Sequence, residues 1–487
     1  MHRNRPALVP TLALALFLGG TAHATDGWQL ERIGYGWASS TRIDDTGVVH
    51  IAYDSDRTLW YARFDGHSWT FEEVYSPVTK YISLTLDEER NPHISFFIDQ
   101  PYYDLGYARR EGGEWHHEVV ETNGRTGYWN SIAIHPSGTV CISYYKDMPY
   151  DQQGLKFARR HGANDWRLEY LDDEASAGAF SSLVFDSSGR PHVSYKRYPI
   201  PGLKYATHSG HGWEIELVED GTYETNETSI TLDSSARPHI SYSLNRGGKE
   251  ELKHAYRTDE NRWITETVDN SSHTGAYSSI EIDDSDNIHI SYCDMGNGDL
   301  RYAFLLAQHE SRRWCLRTVD ATGTTGAFTS LELNPAGFPV VTYNNMNSPP
   351  DLYRAEMVAG LESDREALSA AEGGVVTFHL HAGGNNANRS YVLLGSLSGS
   401  EPGIVLPGGL VLPVNWDSFT YLILCFMNSE TFQDFMGTLD SSGQALAWLD
   451  TLGAMPPETA GLEMSFAYAL SDPWDFASNP VAVAITP

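Results

Sequence analysis

The sequence predicts an all-β chain, a seven-bladed β-propeller of four-stranded blades followed by a C-terminal β-sandwich, and three observations carry that expectation. A Trp that opens a strand-like run recurs at Trp28, Trp69, Trp115, Trp166, Trp213, Trp263 and Trp314, at spacings of 41, 46, 51, 47, 50 and 51 residues. Each Trp run is followed by three more short runs separated by Gly, Asp, Ser and Pro turns, with no sustained helical period. Past residue 360 the Trp period stops, and beyond Glu366 the only Lys or Arg is Arg389, against eleven Asp and Glu.

Taken in order, the N-terminus reads as an address. His2, Arg3 and Arg5 precede an apolar stretch from Ala7 to Gly20, and Ala22-His23-Ala24 is a small-x-small cleavage site. Residues 1–24 are therefore expected to be a signal peptide, with a mature chain starting at Thr25. No later run of 18 or more apolar residues occurs, so no transmembrane segment is expected after cleavage. The expected location is secreted, periplasmic or at the cell surface.

Residues 25–360 hold the repeat. Runs such as Trp213 to Val218 alternate as a strand; Ser182 to Asp186 and Ser279 to Asp283 give a second, Pro191 to Tyr195 and Pro238 to Tyr242 a third, and Leu203 to Ala206 and Leu300 to Ala303 a fourth. A four-stranded meander of this period matches a propeller blade. One blade cannot bury both faces, whereas seven around an axis can. The region begins with a Trp strand and ends with Leu352-Tyr353-Arg354-Ala355. With the Trp strand outermost, the last blade lacks its outer strand, and Trp28 to Ile33 would supply it and leave no open edge. An open solenoid is the alternative. In residues 361–487, Val375 to Leu380 and Ser390 to Leu394 read as strands, Leu406 to Gly409 and Asn479-Pro480 as turns, and Ser429 to Met436 as a short helix or loop.

Charge and cysteine usage exclude several functions. The 487 residues carry 64 Asp+Glu against 33 Lys+Arg, a formal net charge of -31, so the basic footprint of a nucleic-acid partner is absent. An anionic membrane surface is disfavoured for the same reason. Cys141, Cys293, Cys315 and Cys425 have no metal-ribbon or disulfide-scaffold spacing, and Cys293 and Cys315 fall on strands that should not be adjacent. Asp294 to Asp299 gathers oxygen ligands but lacks the terminal bidentate Glu of a calcium loop, so it reads as a turn. No phosphate loop, HExxH or nucleophile elbow occurs, and neither a cofactor nor a metal is expected.

The Pro-His-Ile-Ser-Tyr and Leu-Lys-Tyr-Ala elements, as at Pro238 to Tyr242 and Leu203 to Ala206, resemble the propeller repeats of bacterial secreted proteins grouped with the sialidase-like and BNR-repeat families. The resemblance spans roughly Trp28 to Val358 and implies the fold. The Ser-x-Asp-x-Gly-x-x-Trp box of true sialidases is absent and their arginine triad has no counterpart, so sialidase activity is not implied. The tail, with Phe466 to Ala469 and Trp474 to Pro480, resembles a C-terminal module of bacterial exported proteins, which implies presentation, attachment or sorting.

Repetition inside one chain separates scaffold from site. His50, His93, His192, His239 and His289 recur at one strand start per blade, with Cys141 and Val340 in their place in two blades, and read as hydrogen-bonded packing between blades. Tyr61 to Arg63 and Tyr107 to Arg109 read as exposed strand ends. Variable positions are the better candidates, because loops on a rigid scaffold carry binding groups. One face collects Asp99, Tyr102, Tyr103 and Asp104 from blade two, Lys146, Asp147, Tyr150 and Asp151 from blade three, and Lys196, Arg197 and Tyr198 from blade four. Tyr faces stack on sugar C–H surfaces and carboxylates bridge hydroxyls, which suits a glycan.

Two residues before the inner-strand Ser lie Tyr81, Trp129, Phe180, Tyr277 and Phe328, with Ala38 and Glu227 as exceptions, a column that reads mostly as inter-blade packing. Trp37, Lys80, Tyr128 and Asn226, one residue earlier, vary and are expected, with Trp129, at the channel mouth. Arg42, Glu281 and Glu332 lie mid-strand in blades that become neighbours on closure; such carboxylates serve as acid and base in glycoside hydrolysis or form a structural ion cluster. The expected function is an exported, non-catalytic binder of an extracellular glycan or surface protein. The alternatives are a polysaccharide-active hydrolase or lyase and a protein-interaction platform.

Overall fold

The computed structural model describes residues 23–25, 28–76, 79–99, 103–148, 152–174, 177–197, 201–220, 224–305, 314–358 and 360–487; the expected signal segment up to residue 22 lies outside them. The described repeats form six antiparallel sheets of four sequential strands and a seventh completed by the N-terminal strand, and together they make a seven-bladed propeller. Blade one, for example, is Trp37–Ile43, Val49–Ser55, Thr58–Phe64 and Trp69–Tyr75. Blade seven takes Ala327–Leu333, Pro339–Asn344 and Asp351–Met357 from the end of the repeats and its outer strand, Trp28–Tyr35, from the start. The N-terminal strand pairs through Gln29 with Glu356 and Leu30 with Ala355, and His23–Thr25 adds a short fifth strand at its edge.

The repeated inner-strand Ser locks the ring. Its Oγ accepts the backbone N–H of the next blade's inner strand: Leu84 to Ser40 at 3.0 Å, Ile132 to Ser83 at 3.1 Å, Leu183 to Ser131 at 3.1 Å, and so on to Leu331 on Ser279. Thr41 N–H donates to Ser330 Oγ at 3.0 Å and completes the circle between blades seven and one. These bonds satisfy donors that no strand ladder reaches, which is why the position stays Ser.

The recurring His is held within its blade, not between blades as the sequence suggested. His93 Nδ1 meets Tyr107 Oη at 2.6 Å and its Nε2 faces Asp87 Oδ2 at 3.3 Å; His50 and Tyr61, and His289 and Tyr302, repeat the pair at 2.6 Å. Burial pushes His50, His93 and His192 below the ordinary imidazole range, against the pull of the neighbouring Asp carboxylates. Tyr61 and Tyr107 are therefore core residues and not exposed strand ends. The contact between blades comes one step later. Tyr61 meets Trp115 edge-on at 5.3 Å and Tyr107 meets Trp166 at 5.2 Å, while each of these Trp donates Nε1 to a Glu of the preceding outer strand, Glu72 and Glu118. Where the His is lost, the residue at the Tyr position of the adjoining strand changes too: Phe157 accompanies Cys141, and Arg354 accompanies Val340.

From Gly360 onward two sheets share one apolar core. One contains Gly360–Ser363, Val375–His381, Gln444–Asp450 and Phe432–Gln433; the other contains Ala367–Ser369, Val481–Thr486, Glu463–Leu470, Ser390–Ser396 and Met436–Thr438. Phe378 and Phe466 meet between them at 4.5 Å. The helix is Ser418–Cys425, upstream of the stretch the sequence suggested, and a capping box between Asp417 and Thr420 starts it. Ser429 to Met436 forms bends and two short strands instead.

The first sheet packs on blades six and seven. Leu446 and Trp448 join a buried cluster with Trp28, Leu30, Tyr302 and Phe304, and His379 stacks on Phe304 at 4.2 Å. Asn287 donates to Asp440 at 2.9 Å across the same junction. All four Cys are free thiols, with Cys293 and Cys315 on non-adjacent strands. Among the described residues no helix is long and apolar enough to cross a membrane.

Candidate functional site

Each inner strand enters the ring through a bulge. The ladder steps from Trp37 opposite Asp54 to Ser40 opposite Ala52, so one extra residue is accommodated, and the same slip recurs in all seven blades. A bulge bends the strand and re-aims a side chain. Here the re-aimed residue is the one two positions before the Ser. In six blades it sits in the left-handed region, with φ of 44° at Ala38, 52° at Tyr81, 46° at Trp129, 54° at Phe180, 55° at Tyr277 and 51° at Phe328. That conformation costs an L-residue roughly 1–2 kcal/mol, and five of the six are bulky aromatics. The column read as inter-blade packing thus points into a cavity of about 560 Å³ on the axis, on the face where strands two and three of each blade connect.

The cavity is a ring with two breaks. Tyr81, Trp129 and Phe180 form one aromatic arc, with centroids 5.4 and 5.1 Å apart. Tyr277, Phe328 and Trp37 form the other, at 4.4 and 6.2 Å. Glu227 of blade five interrupts the ring on one side; Ala38 of blade one, with Asp54 from the adjoining strand, interrupts it on the other, three blades away by the shorter path. Lys80, Ser39, Ser278 and Thr329 complete the lining. Burial pushes the Glu227 carboxyl up to about 7 and the Asp54 carboxyl up to about 6, the latter against the pull of the Lys80 ammonium. One Asp54 oxygen is buried with no hydrogen-bond partner, while Glu227 accepts from Tyr277 N–H at 3.4 Å.

The sequence-derived candidates divide around this cavity. Trp37, Lys80 and Trp129 line it. Tyr128, packed on Phe97 at 4.4 Å, and Tyr103, 6.1 Å from Phe97 with the Arg125 guanidinium 5.0 Å from its ring, are not among the lining residues. Asp99 stands 4.0 Å from the Lys80 ammonium, and Asp147 3.8 Å from Arg125. Asp104 is not a loop residue: it opens the strand Asp104–Glu111 and is buried, which raises its carboxyl pKa. Lys196 is also buried, with its ammonium 5.9 Å from the Phe180 ring, and backs the aromatic arc without reaching solvent. Lys146 is held inside by Glu121 at 3.2 Å, and Arg197 by Glu174 at 2.5 Å. Tyr102, Tyr150, Asp151 and Tyr198 lie outside the described residues. Among the described residues of that rim, Asp104 and Lys196 are buried and Lys146 and Arg197 are drawn into ion pairs, which leaves Asp99, Tyr103 and Asp147 toward the loops.

Arg42, Glu281 and Glu332 come together as closure required, but away from the cavity. Arg42 Nη1 pairs with Glu332 Oε1 at 2.6 Å. Burial and the charge of Glu332 raise the Glu281 carboxyl, and burial raises that of Glu332. Arg42 also lines a separate hollow with Thr85, Ala133 and Phe185. The trio has the form of a structural ion cluster along the channel.

Asp54 and Glu227 are the residues that the sequence candidates missed. Both carried a signal: Glu227 is the one acid in an otherwise aromatic or small column, and Asp54 heads a column that runs Asp54, Phe97, Tyr145, Lys196, Ser243, Cys293 and Asn344 with no two alike. A position that varies while its neighbours repeat is free of the shared packing duty.

No protein-family model and no curated protein matches the chain. Among solved structures it is similar to a protein of unknown function from Dyadobacter fermentans, with 11% identity over 67% of this chain and 98% of that one, at a TM-score of 0.44. It is also similar to an α-L-arabinanase of Penicillium chrysogenum complexed with arabinobiose, with 12% identity, coverage of 58% and 94% and a TM-score of 0.43. A third is a PL25 polysaccharide lyase, an ulvan lyase, with 10% identity, coverage of 66% and 95% and a TM-score of 0.49. At these identities and scores no activity or substrate passes from them to this chain.

Proposed function

We propose that this chain is an exported binding protein that recognises carbohydrate in the axial cavity. The supporting observation is the pairing of two aromatic arcs with carboxylates in the gaps between them. Aromatic faces cover the C–H surfaces of a sugar ring, and carboxyl groups at the two breaks bond its equatorial hydroxyls. The volume, about 560 Å³, lies in the range of small-ligand sites and holds a short saccharide. A strained left-handed backbone at the aromatic positions is what a ligand-clamping role would retain. The sialidase-like character of the repeat belongs to this reading as a fold only.

A carbohydrate-active enzyme is the second reading, and one observation favours it. Asp54 and Glu227, pushed up to about 6 and about 7, sit near the operating range of a general acid or base and share a cavity with the Lys80 ammonium. A glycan array with the mature chain, followed by product analysis on each hit, tests both. Binding without turnover supports the binder. Turnover abolished by Glu227→Gln or Asp54→Asn moves the protein to the hydrolase or lyase class, and an array without hits removes the carbohydrate reading altogether.

A further inference from the structure

We propose a second interaction surface, on the helix Ser418–Cys425 and its flanks, that docks a protein partner whose contact face is apolar with a lysine- or arginine-rich rim. A helix with one exposed flank ordinarily turns polar residues to water. This one does not: Trp416, Tyr421, Leu422, Leu424 and Phe426 are 61%, 62%, 43%, 41% and 55% exposed, and only Thr420 and Ile423 are buried beneath it. Met436, 53% exposed, is held at the helix end by two bonds to Asn428, whose side chain donates to its C=O at 2.8 Å and accepts its N–H at 3.0 Å. The apolar surface thus runs from the residue before the cap to the turn beyond the helix. Contiguous exposed apolar surface of this kind marks an interaction site.

Its position is consistent with a partner outside the molecule. The helix packs on Ser390–Ser396, a strand of the second sheet, whereas the propeller is met by the first sheet through Leu446 and Trp448. Charge selects the occupant. From Ser390 to the C-terminus the sequence contains ten Asp and Glu and no Lys or Arg. A second copy of the chain would set acid against acid, and an interfacial membrane helix needs the basic residues missing here. A basic-rimmed apolar face meets both requirements.

The test uses the mature chain and two synthetic amphipathic peptides of equal length, one of Leu and Lys and one of Leu and Glu. Cys425 is the one exposed thiol among the four cysteines, so its alkylation rate reports occupancy of the patch directly. The Leu/Lys peptide is expected to bind, to slow Cys425 alkylation, and to bind about tenfold more weakly to the Tyr421→Ser/Phe426→Ser variant, which changes no charge. The Leu/Glu peptide is expected to leave alkylation unchanged. Both substituted residues are exposed, and an unchanged melting temperature confirms that the variant is folded. Equal peptide binding by variant and parent, with alkylation unaffected, overturns the proposal, since the attraction is then general to an acidic protein. It is overturned equally by a dimer in sedimentation that the double substitution abolishes, or by flotation with zwitterionic vesicles that it abolishes.

Discussion

Tyr107 and His93 show how single residues hold this scaffold and how readily they can be tested. Tyr107→Phe removes the hydroxyl 2.6 Å from His93 Nδ1 and leaves a buried ring nitrogen unpaired, at a cost of about 1–3 kcal/mol. Adding His93→Cys reproduces the Cys141 and Phe157 solution of blade three and is expected to recover part of that loss in a urea-denaturation cycle. Glu227 supplies a pH-dependent counterpart. Its folded pKa is raised, so between about pH 4 and 7 the folded state retains a proton that the unfolded chain releases, and stability falls as pH rises through that window. The urea midpoint of Glu227→Gln is expected to drop less from pH 5 to pH 8 than that of the parent; equal drops would mean that another group titrates.

At the scale of the element, blades were legible and bulges were not. Seven units that bury equivalent faces repeat the Trp in every blade and the His in five, so the period and the strand supplied by Trp28–Tyr35 can be read from spacing alone. The left-handed aromatics have no such signature, since Tyr81 and Trp129 in a strand-like run look like core, and their direction is set by a ladder slip visible only in the pairing. Two loop candidates were hidden for a related reason: Lys146 and Arg197 are matched by Glu121 and Glu174 on strand and loop segments distant in sequence. The helix Ser418–Cys425 carries its signal in the capping pair Asp417 and Thr420, since Phe419 to Leu424 is too apolar to show a helical period. Ala38 tests the bulge itself. Ala38→Gly relieves a φ of 44° while adding unfolded-chain entropy, and a net gain of about 0.5 kcal/mol is expected from denaturant midpoints.

At the scale of the whole molecule, the closing strand and the C-terminal sheets are one structural problem. Trp28 is 2% exposed and belongs both to the last blade and to the cluster with Leu446 and Trp448. Trp28→Ala should cost about 3–5 kcal/mol and split a single thermal transition into two, as the ring seam and the junction weaken together. The axial cavity stands on the connecting-loop face, away from that junction, and its carbohydrate role is the central claim. The most direct test is calorimetric titration of the best array glycan into the parent, Trp129→Ala and Tyr103→Ala. The axial site predicts affinity lowered by about tenfold or more for Trp129→Ala, which lines it, and unchanged for Tyr103→Ala, which does not. Loss on Tyr103→Ala with Trp129→Ala unaffected would contradict it and return the site to the rim.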